Sequence, residues 1–107
     1  MTKTYDVPNS VTMLAYAYYY CNTLNCSINI GTGVTNMNNA FRNCQSMNRV
    51  YINIFANSIT NAGMRNAFNT VNTSTKYIKV YNGTTTAKAV NNSYSGASSY
   101  GWSISNL

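Results

Sequence analysis

The stretch "VTNMNNAFRNCQSM", residues Val34 to Met47, followed by "YINI" at 51–54, decides how the chain is read. Met37, Ala40, Phe41 and Cys44 fall at i, i+3, i+4 and i+7, the spacing of one face of a two-turn helix. Ile52 and Ile54 alternate with other residues, as in a short strand with one buried face. A Thr or Asn in "VTN" suits a helix N-cap, because its side-chain oxygen can accept from the exposed first-turn N–H groups. The unit therefore reads as cap, short helix, turn, strand.

The same frame recurs on both sides. Val11, Val34 and Ile59 open three units and are followed by Thr12, Thr35 and Thr60. Leu14, Met37 and Met64 come next, then Ala17, Ala40 and Ala67, each with an aromatic behind it: Tyr18, Phe41 and Phe68. Cys21, Cys44 and Val71 stand three residues further on, and two units add Leu24 and Met47. Each unit closes on an alternating pair: Ile28 with Ile30, Ile52 with Ile54, Ile78 with Val80. The period is roughly 23 to 27 residues, within the range of leucine-rich repeats.

One such unit cannot bury its apolar face, so the units are expected to stack, with strands forming a parallel ladder and small alanines letting the helices approach. The expected fold is α/β: a short leucine-rich-repeat-like solenoid of about three helix-strand repeats. The expected organisation is a single domain, with 1–10 as lead-in, 11–83 as the three repeats and 84–107 as a degenerate cap. The cap is traced through Ala89, Val90, Trp102 and Ile104, with "NNSYSGASSYG" as a loop between.

The whole pattern V-T-N-M-x-x-A-F-x-x-C-x-x-M, with Ile52 and Ile54 behind it, resembles the BspA-type leucine-rich repeats of bacterial surface proteins and gut-bacteriophage proteins. The resemblance covers roughly residues 11 to 83. It implies a non-enzymatic recognition or adhesion module without a cofactor, of phage or bacterial origin.

Composition sets further bounds. Of 107 residues, 45% are apolar but only 7% are charged, and seven Lys and Arg against one acid, Asp6, give a net charge of +6. The surface must then be built mostly from Asn, Ser, Thr and Tyr, and an anionic partner is favoured over a cationic one. The start "MTKTYDVPNS" lacks the charged lead and apolar run of a signal peptide, and the apolar run from Met13 to Cys21 is too short to span a bilayer. No membrane insertion is expected, and the expected location is the host cytoplasm or a virion.

With no His and a single carboxylate, the usual acid–base pairs, Ser-His-Asp and Cys-His triads and carboxylate metal clusters are absent by residue type; only an unusual arrangement such as a Ser-Lys pair is left, and no spacing points to one. Three cysteines and one carboxylate do not supply a zinc site. "GTG" at 31–33 lacks the helix and lysine of a phosphate-binding loop and reads as a turn between units. Cys21 and Cys44 take core positions in the frame, where Cys behaves as a small apolar residue. Cys26 falls outside that position and is the thiol expected to be most reachable, while Tyr16, Tyr19 and Tyr20 are expected at a rim.

Two sets of residues are candidates for contact. Outward strand positions alternate with buried ones, which picks out Asn29 in the first strand, Tyr51, Asn53 and Phe55 in the second, Tyr77, Lys79 and Tyr81 in the third, and Ser103 in the cap. Tyr supplies large contact area at low entropic cost, so this column is the expected face for a protein partner. The basic residues Arg42, Arg49, Arg65 and Lys76, with Lys88, form a second set able to contact an anion or nucleoprotein. The expected function is macromolecular recognition through the strand face, with self-association through the ends left open. The alternative is a small phage inhibitor of a host defence nucleoprotein, anti-CRISPR-like, acting through the basic set.

Overall fold

A computed structural model of the chain describes residues 3–19, 26–44, 49–71 and 75–107, with Lys3 and Cys26 described by their backbone alone. It is a small α/β structure with few helices and one five-stranded parallel sheet. The strands are β1 (Lys3–Val7), β2 (Cys26–Ile30), β3 (Arg49–Ile54), β4 (Thr75–Val80) and β5 (Ser103–Asn106), each beside its sequence neighbour. A short helix α1 (Thr85–Asn91) and two 3-10 turns, at Asn61–Gly63 and Ser93–Ser95, are the other elements among the described residues.

The alternating isoleucines set the register. Tyr5, Ile28, Ile52, Ile78 and Ile104 pair across the five strands in one row, and Val7, Ile30, Ile54, Val80 and Asn106 in another. Ile28, Ile30, Ile52, Ile54, Ile78 and Val80 are buried to 1% exposure or less. A one-residue slip would turn this whole set to solvent, and burial of each such side chain contributes about 1.5–3 kcal/mol. Strand β1 was not anticipated from the repeat frame; it pairs with β2 over all five of its residues.

The segments expected to be helices are not helical. Residues 15–19, 38–43 and 65–70 form consecutive tight turns. Ala40 N–H bonds back to the Met37 carbonyl at 3.0 Å and Cys44 N–H to that of Phe41 at 3.3 Å, each closing a four-residue turn. The third residue of each turn, Asn39 (φ 59°) and Asn43 (φ 61°), lies in the left-handed region. Tyr16, Asn66 and Thr70 repeat this at 60°, 55° and 56°. Asn tolerates that conformation better than most non-Gly residues.

Alternate N–H groups of these segments bond to the next segment along the sheet. Leu14, Tyr16 and Tyr18 donate to the carbonyls of Asn36, Asn38 and Ala40 at 2.8, 3.0 and 2.8 Å. Met37, Asn39, Phe41 and Asn43 donate to Gly63, Arg65, Ala67 and Asn69 at 2.6, 3.0, 2.8 and 2.9 Å. Two successive turns place their first and last residues inward, which reproduces the i, i+3, i+4, i+7 spacing of a helix face. "VTN" opens a turn instead of capping a helix: Asn36 Oδ1 accepts from Asn38 N–H at 2.9 Å.

The apolar frame itself lies inside. Val34, Met37, Ala40, Phe41, Cys44, Ile59, Met64, Ala67, Phe68 and Val71 are all buried, while Val11, Leu14 and Tyr18 of the first unit are half-buried. Tyr18 stacks on Phe41 at 4.9 Å, Phe41 on Phe68 at 5.8 Å, and Phe68 meets Trp102 at 5.1 Å. Cys44 Sγ donates to the Tyr18 carbonyl at 2.9 Å. Cys21, Leu24, Met47, Tyr20 and the Cys26 side chain lie outside the described residues. Gly33 permits close approach between segments, since a Cβ there would collide with the Asn9 carbonyl oxygen.

The C-terminal end is closed by polar groups with partners. Thr84 Oγ1 accepts from Ala87 N–H at 3.1 Å and so caps α1. Buried Thr86 accepts from Ile59 N–H at 3.0 Å, and buried Ser95 donates to the Val90 carbonyl at 2.6 Å. Trp102 Nε1 donates to the Phe68 carbonyl at 3.3 Å. Ala89 and Val90 are buried in α1.

Candidate functional site: the outward face of the sheet

Because strand side chains alternate between faces, the residues between the buried rows form rows of their own on the other side of the sheet. Thr4, Ser27, Tyr51, Tyr77 and Ser103 are in register in one, and Asp6, Asn29, Asn53, Lys79 and Ser105 in the next. Phe55 follows β3 and bonds its N–H to the Ile30 carbonyl at 2.9 Å, continuing the ladder past the strand end. All six residues expected from sequence are therefore on two adjacent strands and their exits.

The rows have distinct chemistry. Tyr51 and Tyr77 stack with ring centroids 5.4 Å apart and planes at 2°. Phe55 and Tyr81 make an edge contact at 6.3 Å and 64°. Between them runs a polar row: Asn53 Nδ2 donates to Asn29 Oδ1 at 2.8 Å, and Asn29 Nδ2 donates to Asp6 Oδ1 at 2.8 Å. The amides are thereby held in one orientation, running toward the carboxylate at the β1 edge. Lys79 stands at the other side of Asn53, exposed and without an ion pair among the described residues.

Four positions along a strand span about 13 Å, so the aromatic pairs flank a polar strip roughly one extended chain wide. Tyr77 and Tyr81 are each 41% exposed, while Tyr51, Asn53 and Phe55 are half-buried beneath their neighbours. Adjacent side chains restrict the motion of each ring, which lowers the entropy lost on contact with a partner. Asn29, the first-strand member of this face, makes two amide bonds that link Asp6 to Asn53.

The basic residues are placed differently. Arg42 is half-buried in a turn, its Nη1 donating to Asn39 Oδ1 at 3.2 Å, and its Nε is buried without a hydrogen-bond partner among the described residues. Arg65 lies over the Tyr94 ring at 5.6 Å. Lys76 donates to the Val71 carbonyl at 3.1 Å and to the Tyr100 carbonyl, and burial lowers its pKa from the ordinary value. Arg49 is exposed at the start of β3, beside Thr75, and Lys88 is exposed on α1. Three of the four candidate anion contacts thus have internal partners: Asn39 for Arg42, Tyr94 for Arg65, two carbonyls for Lys76.

Among the described residues no group of His, Cys, Asp or Glu could hold a metal ion. No helix among them is long and apolar enough to cross a membrane. No protein-family model, curated protein or solved structure matches the chain.

Proposed function

We propose that the chain is a short leucine-rich-repeat-like solenoid acting as a non-enzymatic recognition module of phage or bacterial origin. It binds a protein partner through the outward face of the sheet. The observation that carries this reading is the pair of ordered aromatic contacts, Tyr51 with Tyr77 and Phe55 with Tyr81, flanking the row of Asn53 and Lys79. Aromatic residues fixed by neighbours and surrounding a polar strip are the composition of a contact centre.

The inhibitor of a host defence nucleoprotein draws on the basic set, and the internal partners of Arg42, Arg65 and Lys76 weigh against that set as the main contact. The test is affinity capture from bacterial lysate with and without nuclease, using the chain and two triple variants. Loss of a defined protein partner in Tyr51→Ala/Tyr77→Ala/Tyr81→Ala supports the strand face. A nuclease-sensitive nucleoprotein lost only in Arg42→Ala/Arg49→Ala/Arg65→Ala replaces it with the inhibitor reading.

A further inference from the structure

The outward face of the sheet has two unlike halves. Over β1 and β2 its side chains are short: Thr4 and Ser27 stand in the row that continues to Tyr51 and Tyr77 on β3 and β4. In the next row Asp6 and Asn29 lead to Asn53 and Lys79. Past the strand ends, Pro8 and Gly31 follow Val7 and Ile30, where Phe55 and Tyr81 follow Ile54 and Val80. The face is therefore low and acidic at β1, high and basic at β4.

Its charges have the same two-sided arrangement. Asp6 and Lys79 are both exposed and three strands apart, about 14 Å at the usual strand spacing. They are the one anionic and the one cationic side chain of these rows, so the face is locally neutral on a chain of net charge +6. Between them Asn53 donates to Asn29 and Asn29 to Asp6. Among the described residues this leaves Asn53 Oδ1 without a donor and the second N–H of Asn29 Nδ2 without an acceptor.

We infer that a second copy of this chain occupies the face; the inference rests on reading the face as a protein contact and names the partner. A closed two-fold dimer needs a patch that complements itself. A half-turn about an axis lying in the face, along the strands and between β2 and β3, sets Asp6 of each copy opposite Lys79 of the other and Asn29 opposite Asn53. Asn29 Nδ2 can then donate its second N–H to Asn53 Oδ1 of the other copy. The same half-turn sets Tyr51 over Ser27 and Tyr77 over Thr4, so the high half of each copy covers the low half of the other. An axis across the strands fails on the same residues, because it sets Asp6 against Asp6 and Lys79 against Lys79. Stacked twisted sheets keep their strands within about 30° of each other, which the axis along the strands satisfies. Four strands make a face about 19 Å wide, at the lower end of specific interfaces, so association in the micromolar range is expected.

The test is sedimentation equilibrium of the chain under reducing conditions at about 0.15 M salt, where repulsion between two chains of net charge +6 is screened beyond about 8 Å. The mass is expected to rise with concentration from monomer toward dimer. Asp6→Lys and Lys79→Asp each set like charges opposite one another at both contacts, and each should weaken association at least about tenfold. Mixed in equal amounts, the two variants pair Lys with Asp at both contacts, so the mixture should associate about as tightly as the native chain. Mixing that restores nothing overturns the inference. So does a native chain that stays monomeric at millimolar concentration, which would give the face to another molecule or to a further segment of the same polypeptide. A reading that needs no variant is dilution of the isotope-labelled native chain. Amide shifts at Ser27, Asn29, Tyr51 and Asn53 are expected, and shifts confined to residues 13–19 or to α1 overturn the inference. The recognition reading fails separately: a monomeric native chain whose captured partner is lost in the tyrosine triple variant sinks the second copy alone. Self-association and capture that both survive in that variant sink the two together.

Discussion

Phe41 and Phe68 lie ring over ring, 5.8 Å between centroids and 6° between planes, although they are 27 positions apart in the chain. Both are fully buried, and Tyr18 and Trp102 extend the column at its ends. Phe41→Ala removes the middle ring and leaves a cavity. The expected loss is about 3–5 kcal/mol, read from urea unfolding at constant m-value. Ala40→Phe should also destabilise, by about 1–3 kcal/mol or more, through overpacking.

The turns at 38–43 make a prediction whose sign opposes that of a helix. Asn43 has φ 61°, where Ala is strained and Gly is not. Asn43→Ala should cost about 1 kcal/mol, and Asn43→Gly should leave the midpoint nearly unchanged. In a helix interior Ala would be the more stable of the two by about 1 kcal/mol. Paired thermal melts of the two variants decide between the conformations.

Tyr51 and Tyr77 form a stacked cross-strand pair on the outward face. A double-mutant cycle to Ala should give a coupling of about 0.5–1 kcal/mol. A coupling near zero would mean that the rings do not hold one another in solution, which removes the ordered contact centre from the binding reading.

Burial holds the Lys76 ammonium below the ordinary lysine value of 10.5. The unfolded chain then binds more protons than the folded one in the interval between the folded value and 10.5. The group's contribution to stability is complete above 10.5 and is lost as pH falls through the folded value. The difference in unfolding free energy between the native chain and Lys76→Met should therefore move in favour of the native chain as pH rises toward 10.5. The opposite trend would mean that the bonds to Val71 and Tyr100, and not burial, dominate its proton affinity.

Much of this arrangement was legible in the residues because a buried parallel row leaves a period-two trace. Ile28, Ile52 and Ile78 pair where the shared frame puts them, and the outward column from Tyr51 to Tyr81 follows from their alternation. The connecting segments misled because two four-residue turns bury the same positions as two helical turns. The signal that separates them is Asn in the third place of a turn, at Asn39, Asn43 and Asn66. Strand β1 was hidden because "KTYDV" precedes the first unit and has Tyr5 where the later strands have Ile. The ties of Lys76 to Tyr100 and of Arg65 to Tyr94 depend on distances between segments 24 and 29 residues apart, which no local pattern encodes.

The bonding between the turn segments runs mainly in one direction and gives them an electric axis. The N–H groups of Leu14, Tyr16, Tyr18, Met37, Asn39 and Phe41 point toward the C-terminal end and the carbonyls that accept from them point back, while Thr35 and Asn36 donate the other way, to the Thr12 carbonyl. Aligned peptide dipoles add, as they do in a helix, but here the negative pole falls at the N-terminal end. A chain of net charge +6 is thereby polarised along its stacking direction. Cationic groups on an approaching molecule are drawn to the end nearest β1, and added salt weakens that orientation.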